Sequence, residues 1–217
     1  MDKARFMGRM AATVSHDLCN VLATIQQASG LLGDYLALAR RESLKSVGLR
    51  PKFKYNDKFE EIICQVLTQV NRGQDMCDQL SRLAHSSDEG QDGADLALAA
   101  ELLVKLSGRV AKKHKVKFLV MPAPMRCKAK ATLVEVLTAM ETALTGIAWE
   151  CREQGEIVLA PGATDTGVHM DILCQGLSQP DVQSLVQALE SGESGACTAG
   201  VIQGGVRLAF EKAGLQA

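Results

Sequence analysis

The chain has 217 residues, with 24 Lys and Arg against 25 Asp and Glu for a formal net charge of −1. This is enough chain for one large domain or two small ones with a real core, and the charge balance leaves no electrostatic footprint for nucleic acid. No apolar run approaches the ~18 to 20 residues of a membrane span, and Met1-Asp2-Lys3-Ala4-Arg5-Phe6 lacks the apolar block of a signal peptide, so the chain reads as cytoplasmic with no membrane partner.

Residues 3–42 form the first expected element, a long amphipathic helix whose apolar residues repeat every seven positions. Ala11, Leu18, Ile25, Leu32 and Ala39 make one row; Met7, Val14, Val21, Ala28 and Tyr35 make the other. With Leu18 at position a, His16 falls on f, Asp17 on g and Asn20 on c, all off the seam. The stretch 43–57, with Gly48, Pro51 and Asn56, breaks the pattern as a hairpin loop. The heptad resumes over 57–86, with Phe59, Val66, Gly73 and Leu80 in one row and Ile63, Val70, Cys77 and Ala84 in the second. Two such helices make an antiparallel hairpin, which alone cannot cover both apolar stripes. A second copy would, so the expectation is a homodimer through residues 3–86 as a four-helix bundle.

Residues 86–95 are polar, acidic and Gly-containing, as a linker would be. Beyond it the periods change: helices are expected over 94–113, 130–150 and 181–190, and strands over 115–121, 156–160, 168–174 and 206–210. The cluster Lys112-Lys113-His114-Lys115 follows the first of these helices, whose C-terminus it suits. Helices interleaved with a small mixed sheet imply a two-layer α/β sandwich. The expected fold class is therefore α+β, with a helical hairpin domain at 1–87 and an α/β domain at 88–217.

The seven cysteines include no C-x-x-C pair and stand mostly at apolar positions, where thiols behave as small hydrophobes; this suits a reducing cytosol. His85, His114 and His169 have no metal-ligand spacing with one another or with Cys, and no P-loop or G-x-S-x-G string occurs.

His16 is the residue that packing does not account for. An imidazole on the wet face of a bundle helix contributes nothing to a core. Asp17 beside it can favour and orient the charged ring, and Asn20 one turn on lies on the same helix face. The string Met10-Ala11-Ala12-Thr13-Val14-Ser15-His16-Asp17-Leu18-Cys19-Asn20, leading into an apolar helix, resembles the phosphoacceptor box of two-component sensor histidine kinases. That resemblance implies His16 as phosphoacceptor, Asp17 as its acid/base partner and Asn20 as the residue associated with phosphatase activity. The element order after residue 94 is similar to the ATP-binding domain of the same kinases, the fold shared with the gyrase and Hsp90 ATPases.

The chain departs from that family where nucleotide would bind. The family places an Asn on the helix matching 130–150 to help coordinate magnesium on the phosphates; Thr142 or Ala143 stands there, and no Asn occurs after Asn71. The family's adenine-binding Asp falls on Cys174, with Gly176 following; Asp171 is three residues early and of the wrong strand parity. The glycines Gly192, Gly195 and Gly200 lack the G-x-G spacing of a phosphate lid and read as turns. The resemblance thus implies a histidine phosphotransferase that exchanges a phosphoryl group between His16 and the Asp of a response-regulator receiver, with no cofactor of its own and the receiver supplying magnesium. A divergent ATP-dependent sensor kinase and a non-catalytic dimeric scaffold are the two alternatives.

Overall fold

A computed structural model describes residues 3–45, 55–85, 93–151, 155–191 and 196–213. The expected hairpin loop at 43–57 and linker at 86–95 lie largely outside these residues. The described chain begins with two long helices, α1 (Lys3–Lys45) and α2 (Asn56–His85), followed by helices and a mixed sheet. The fold class is α+β, as expected. Packing groups the chain into two compact units, Ala11–Leu80 and Met1–Met10 with Ser81–Ala217.

In the first unit α1 turns its Val14, Val21 and Ala28 row inward, and Ile62 of α2 is buried. Tyr35 meets Tyr55 at 5.6 Å and Phe59 at 6.4 Å between ring centroids, tying the two helices together at that end of the unit. Burial along α2 separates two apolar rows within the single chain. Phe59, Val66, Gly73 and Leu80 do lie on its inner side, but the second inner row is Ile62, Gln69, Met76 and Leu83, whereas Ile63, Val70, Cys77 and Ala84 are exposed.

The second unit layers helices on one face of a five-stranded sheet of order β2-β4-β5-β7-β6, where β2 is Lys117–Val120, β4 Glu156–Ala163, β5 Gly167–Cys174, β6 Thr198–Ile202 and β7 Gly205–Glu211. Only the β2–β4 pair is parallel. Period-two burial along β5 puts Val168, Met170, Ile172 and Cys174 under the helices and leaves His169 and Asp171 on the open face. Helix α5 (Leu133–Glu150) is the core of the helical layer, with Leu137, Met140, Leu144 and Ile147 fully buried; each such side chain contributes roughly 1.5–3 kcal/mol. Its start is fixed by a reciprocal capping box between Thr132 and Glu135.

Several boundaries differ from expectation for local reasons. The helix expected over 94–113 is instead a bridge strand β1 (Ala94–Asp95), α3 (Leu96–Leu106) and α4 (Gly108–His114). Asp95 caps α3 by accepting from the Ala97 and Leu98 amides, so it closes the strand and opens the helix. The break before α4 falls at Ser107-Gly108, where buried Ser107 caps α3 through its backbone N–H to the Leu103 carbonyl. β1 pairs with β3 (Lys128–Ala129), just before α5. Strand β6 lies in the stretch read as Gly-rich turns. It forms a hairpin with β7 through Gln203-Gly204, where Gly204 holds φ +77°, a left-handed conformation that suits glycine. Gly205 is required for space: a Cβ there would stand 2.0 Å from the Ile172 carbonyl oxygen. Pro161 falls in the half of β4 beyond its pairing with β2, where its missing N–H interrupts no β2–β4 ladder.

The first turns of α1 join this second unit through two ion pairs. Lys3 Nζ lies 2.7 Å from Glu135 Oε1, and Arg9 Nη2 lies 2.9 Å from Glu141 Oε2. The bond from Lys3, helped by those from Thr132, holds the Glu135 carboxyl below its ordinary range against a smaller desolvation. Glu141 behaves oppositely: burial pushes its carboxyl up, and Arg9 offsets only part of that. A carboxyl raised on folding binds more protons in the native state. Its penalty is therefore present above the folded pKa and relieved as pH falls through it. Arg9→Met should widen this penalty by about 1 kcal/mol at pH 8, a value discounted for the half-exposed guanidinium. Denaturant titrations should show the deficit shrinking as pH drops toward the ordinary carboxylate range, and vanishing at every pH when Glu141→Gln is added.

Candidate functional site

The three residues singled out in the sequence come together on α1. Asn20 Nδ2 lies 3.1 Å from His16 Nδ1, and Asp17 Oδ1 lies 3.5 Å from the same nitrogen. The first contact follows from helical spacing, since residues four apart stack on one face. The second is an ion-pair distance between chain neighbours. The imidazole stays more than half exposed, at 55% of its side-chain surface, while the Asp17 side chain is largely covered. Ser15, Cys19 and Asn20 around it are also exposed.

Gly73 of α2 stands in the seam behind the site. A Cβ on Gly73 would touch Val21 Cγ1 at 3.4 Å and Leu18 Cδ2 at 4.0 Å, and these lie five and two residues along α1 from His16. Both distances are ordinary van der Waals contact, so Gly73 faces the two α1 side chains at a spacing that a methyl group would fill.

Chemically, both contacts engage Nδ1. For the other ring nitrogen, Nε2, to act as a nucleophile, Nδ1 must carry the proton and donate it to Asp17; the Asn20 amide would then turn over, since its Nδ2 is itself a donor and its oxygen is the end that accepts. The same carboxylate stabilises the imidazolium that forms once Nε2 is substituted.

The positions where the kinase resemblance would place nucleotide ligands hold other groups. The Thr142 hydroxyl donates to the Thr138 carbonyl of its own helix, and Ala143 is buried. Cys174 is bonded to Cys151 in a disulfide with Cα atoms 6.5 Å apart, which corrects the expectation that all seven cysteines are thiols. Asp171, on the opposite face of β5, is taken up by Arg207, whose Nε and Nη2 donate to its two oxygens at 2.6 and 2.7 Å. None of these groups presents a side-chain amide to a metal or a free carboxylate to an exocyclic amine. Among the described residues no group of three or more His, Cys, Asp or Glu could hold a metal ion, and no helix is long and apolar enough to cross a membrane.

No family model matches the sequence, and no curated protein matches it. Among solved structures, the chain is similar to the histidine kinase AdeS of Acinetobacter baumannii, at 11% identity over 92% of this chain and 98% of that one, with a TM-score of 0.42. It is also similar to the ATP-binding domain of PrrB from Mycobacterium tuberculosis, at 16% identity over 57% and 96% of the two chains and a TM-score of 0.43. A third is the histidine kinase ThkA in complex with the response regulator protein TrrA, at 14% identity, 96% and 62% coverage and a TM-score of 0.37. These are distant likenesses. The functional reading rests on the chain's own residues.

Proposed function

We propose that this chain is a histidine phosphotransferase of a two-component phosphorelay, receiving a phosphoryl group on His16 from the Asp of a receiver domain and passing it to another. The observation that carries the reading is the exposed His16 imidazole with Asp17 and Asn20 both at Nδ1. In transfer from a receiver, the Nε2 lone pair attacks phosphorus in line, the bond from phosphorus to the aspartyl oxygen breaks, and the receiver carboxylate leaves. Asp17 stabilises the positive ring that results. The magnesium ion belongs to the receiver's acidic pocket, and the groups at Thr142, Ala143 and Cys174 support a chain that does not load itself from ATP.

The reading includes a homodimer through residues 3–86. Support comes from α2, which is apolar on two adjacent stripes. The stripe with Ile62 is spent within the unit, while Ile63 (48% exposed), Leu67 (57%) and Val70 are left in water. Leu22 and Leu36 are left exposed on α1 as well. A second copy of the hairpin would bury these rows in a four-helix bundle.

The discriminating experiment offers the protein labelled ATP alone, then a panel of phosphorylated receiver domains. Label from receivers and none from ATP is the expected result. Label from ATP would make the chain a sensor kinase, and label from neither would make it a scaffold. Asn20→Ala is a finer test: transfer should survive, while the phosphohistidine should last roughly tenfold longer, the equivalent of one net hydrogen bond to the attacking water. The measurement is decay of acid-labile phosphate on the isolated protein.

A further inference from the structure

The basic cluster set aside in the sequence has a partner the sequence did not show. Between Leu102 and Val134 the chain carries nine Lys and Arg and no Asp or Glu, although the whole chain is nearly neutral. Helix α4 lies in this segment, has no buried residue, and ends in Lys112, Lys113 and His114 with Lys115 as its cap. The helix C-terminus accounts for the cations alone. It does not account for Trp149.

Trp149 is the chain's only tryptophan, stands next to last in α5, and is 63% exposed. Its ring is nevertheless held. His114 meets it edge-on at 4.9 Å between centroids, and the Lys113 ammonium lies 4.8 Å from its centroid. An aromatic ring left mostly in water adds little to folding, yet this one is held between the Lys113 ammonium and the His114 ring, with exposed Lys112 and Lys115 in the same basic stretch of chain, so much of the cost of ordering it for a partner is already met.

We infer that Trp149 and the rim of Lys112, Lys113 and Lys115 form a docking surface for an acidic protein partner, one offering an apolar notch bordered by carboxylates. Tryptophan anchors of this kind dominate protein interfaces, and complementary charge steers their encounter. A lipid surface fits less well. The ammonium over the ring would have to follow it into the acyl region, and the next residue in the chain is exposed Glu150. A nucleic acid fits less well too, because the ring face needed for base stacking is shared with Lys113 and the rest of the chain is acidic. The surface is independent of phosphotransfer at His16.

Because Trp149 is the sole tryptophan, its fluorescence reports on this surface in the intact chain. Three probes are titrated: a Glu-rich peptide with one central Leu, phosphatidylglycerol vesicles, and a short DNA duplex. The peptide should shift the emission saturably, with an affinity that falls as salt rises and drops roughly tenfold in Lys112→Gln/Lys113→Gln. Trp149→Ala, followed by anisotropy of labelled peptide, should lose at least as much while keeping the parent melting temperature. Peptide binding that is absent, or indifferent to these substitutions, would overturn the proposal. So would tighter binding of vesicles or duplex than of peptide.

Discussion

His16→Ala should abolish phosphoryl uptake from a phosphorylated receiver domain and leave the melting temperature within about 2 °C of the parent. The two halves have separate physical origins. The imidazole is more than half exposed, and surface substitutions usually stay within about 0.5 kcal/mol. The chemistry has no substitute, because His16 is the only histidine on α1. Gel autoradiography with labelled receiver reads the first half and a thermal melt the second. If the variant unfolds while any folded fraction still takes up phosphate, the imidazole is packing and the phosphotransferase reading fails.

Leu67→Glu should convert the protein from a dimer to a monomer without unfolding the hairpin. Leu67 is largely in water within one chain, so a carboxylate there costs the folded monomer little. In the proposed bundle the same position is covered by the second copy, and by symmetry each dimer would bury two charges. A cost of about 2 kcal/mol or more per unpaired polar group, counted twice, raises the dissociation constant by at least about a thousandfold. Sedimentation at micromolar concentration, with circular dichroism to confirm retained helix, reads the outcome. Val66→Glu is the contrasting variant. Val66 is already half-buried within the chain, so it should lose helix as well as association. A Leu67→Glu protein that stays dimeric would place the interface elsewhere.

The second row of α2 shows how far periodicity reaches. From Phe59 to Val66, a step of three then four passes through Ile62, and a step of four then three passes through Ile63. Both residues are apolar, so both stripes satisfy the heptad. Spacing alone cannot say which stripe meets α1, because that depends on how far the helix is rotated about its axis, and rotation is set by packing. The structure spends the Ile62 stripe within the chain. The Ile63 stripe stays exposed within the chain.

Strand β6 was missed for a different reason. Thr198-Ala199-Gly200-Val201-Ile202 is too small and glycine-broken to look like a strand, and it exists because β7 offers it a paired edge. The Gln203-Gly204-Gly205 turn was the available signal, weaker than Asn-Gly because Gln does not favour the left-handed turn position.

What the sequence determined by itself is what depends on residues near one another along the chain. This covers the length and amphipathicity of α1, the face on which His16 sits, its alignment with Asn20 through one helical turn, and the opposite parity of Asp171 and Cys174 on β5. Each is a consequence of a fixed rise and rotation per residue. What only the tertiary structure decided is what joins distant segments. The Cys151–Cys174 disulfide, the Asp171–Arg207 pair, the approach of Gly73 to Val21 and the meeting of Lys113 with Trp149 each require two elements to be placed within a few ångströms of one another. That placement comes from burying apolar surface, which acts without direction and reads no spacing along the chain.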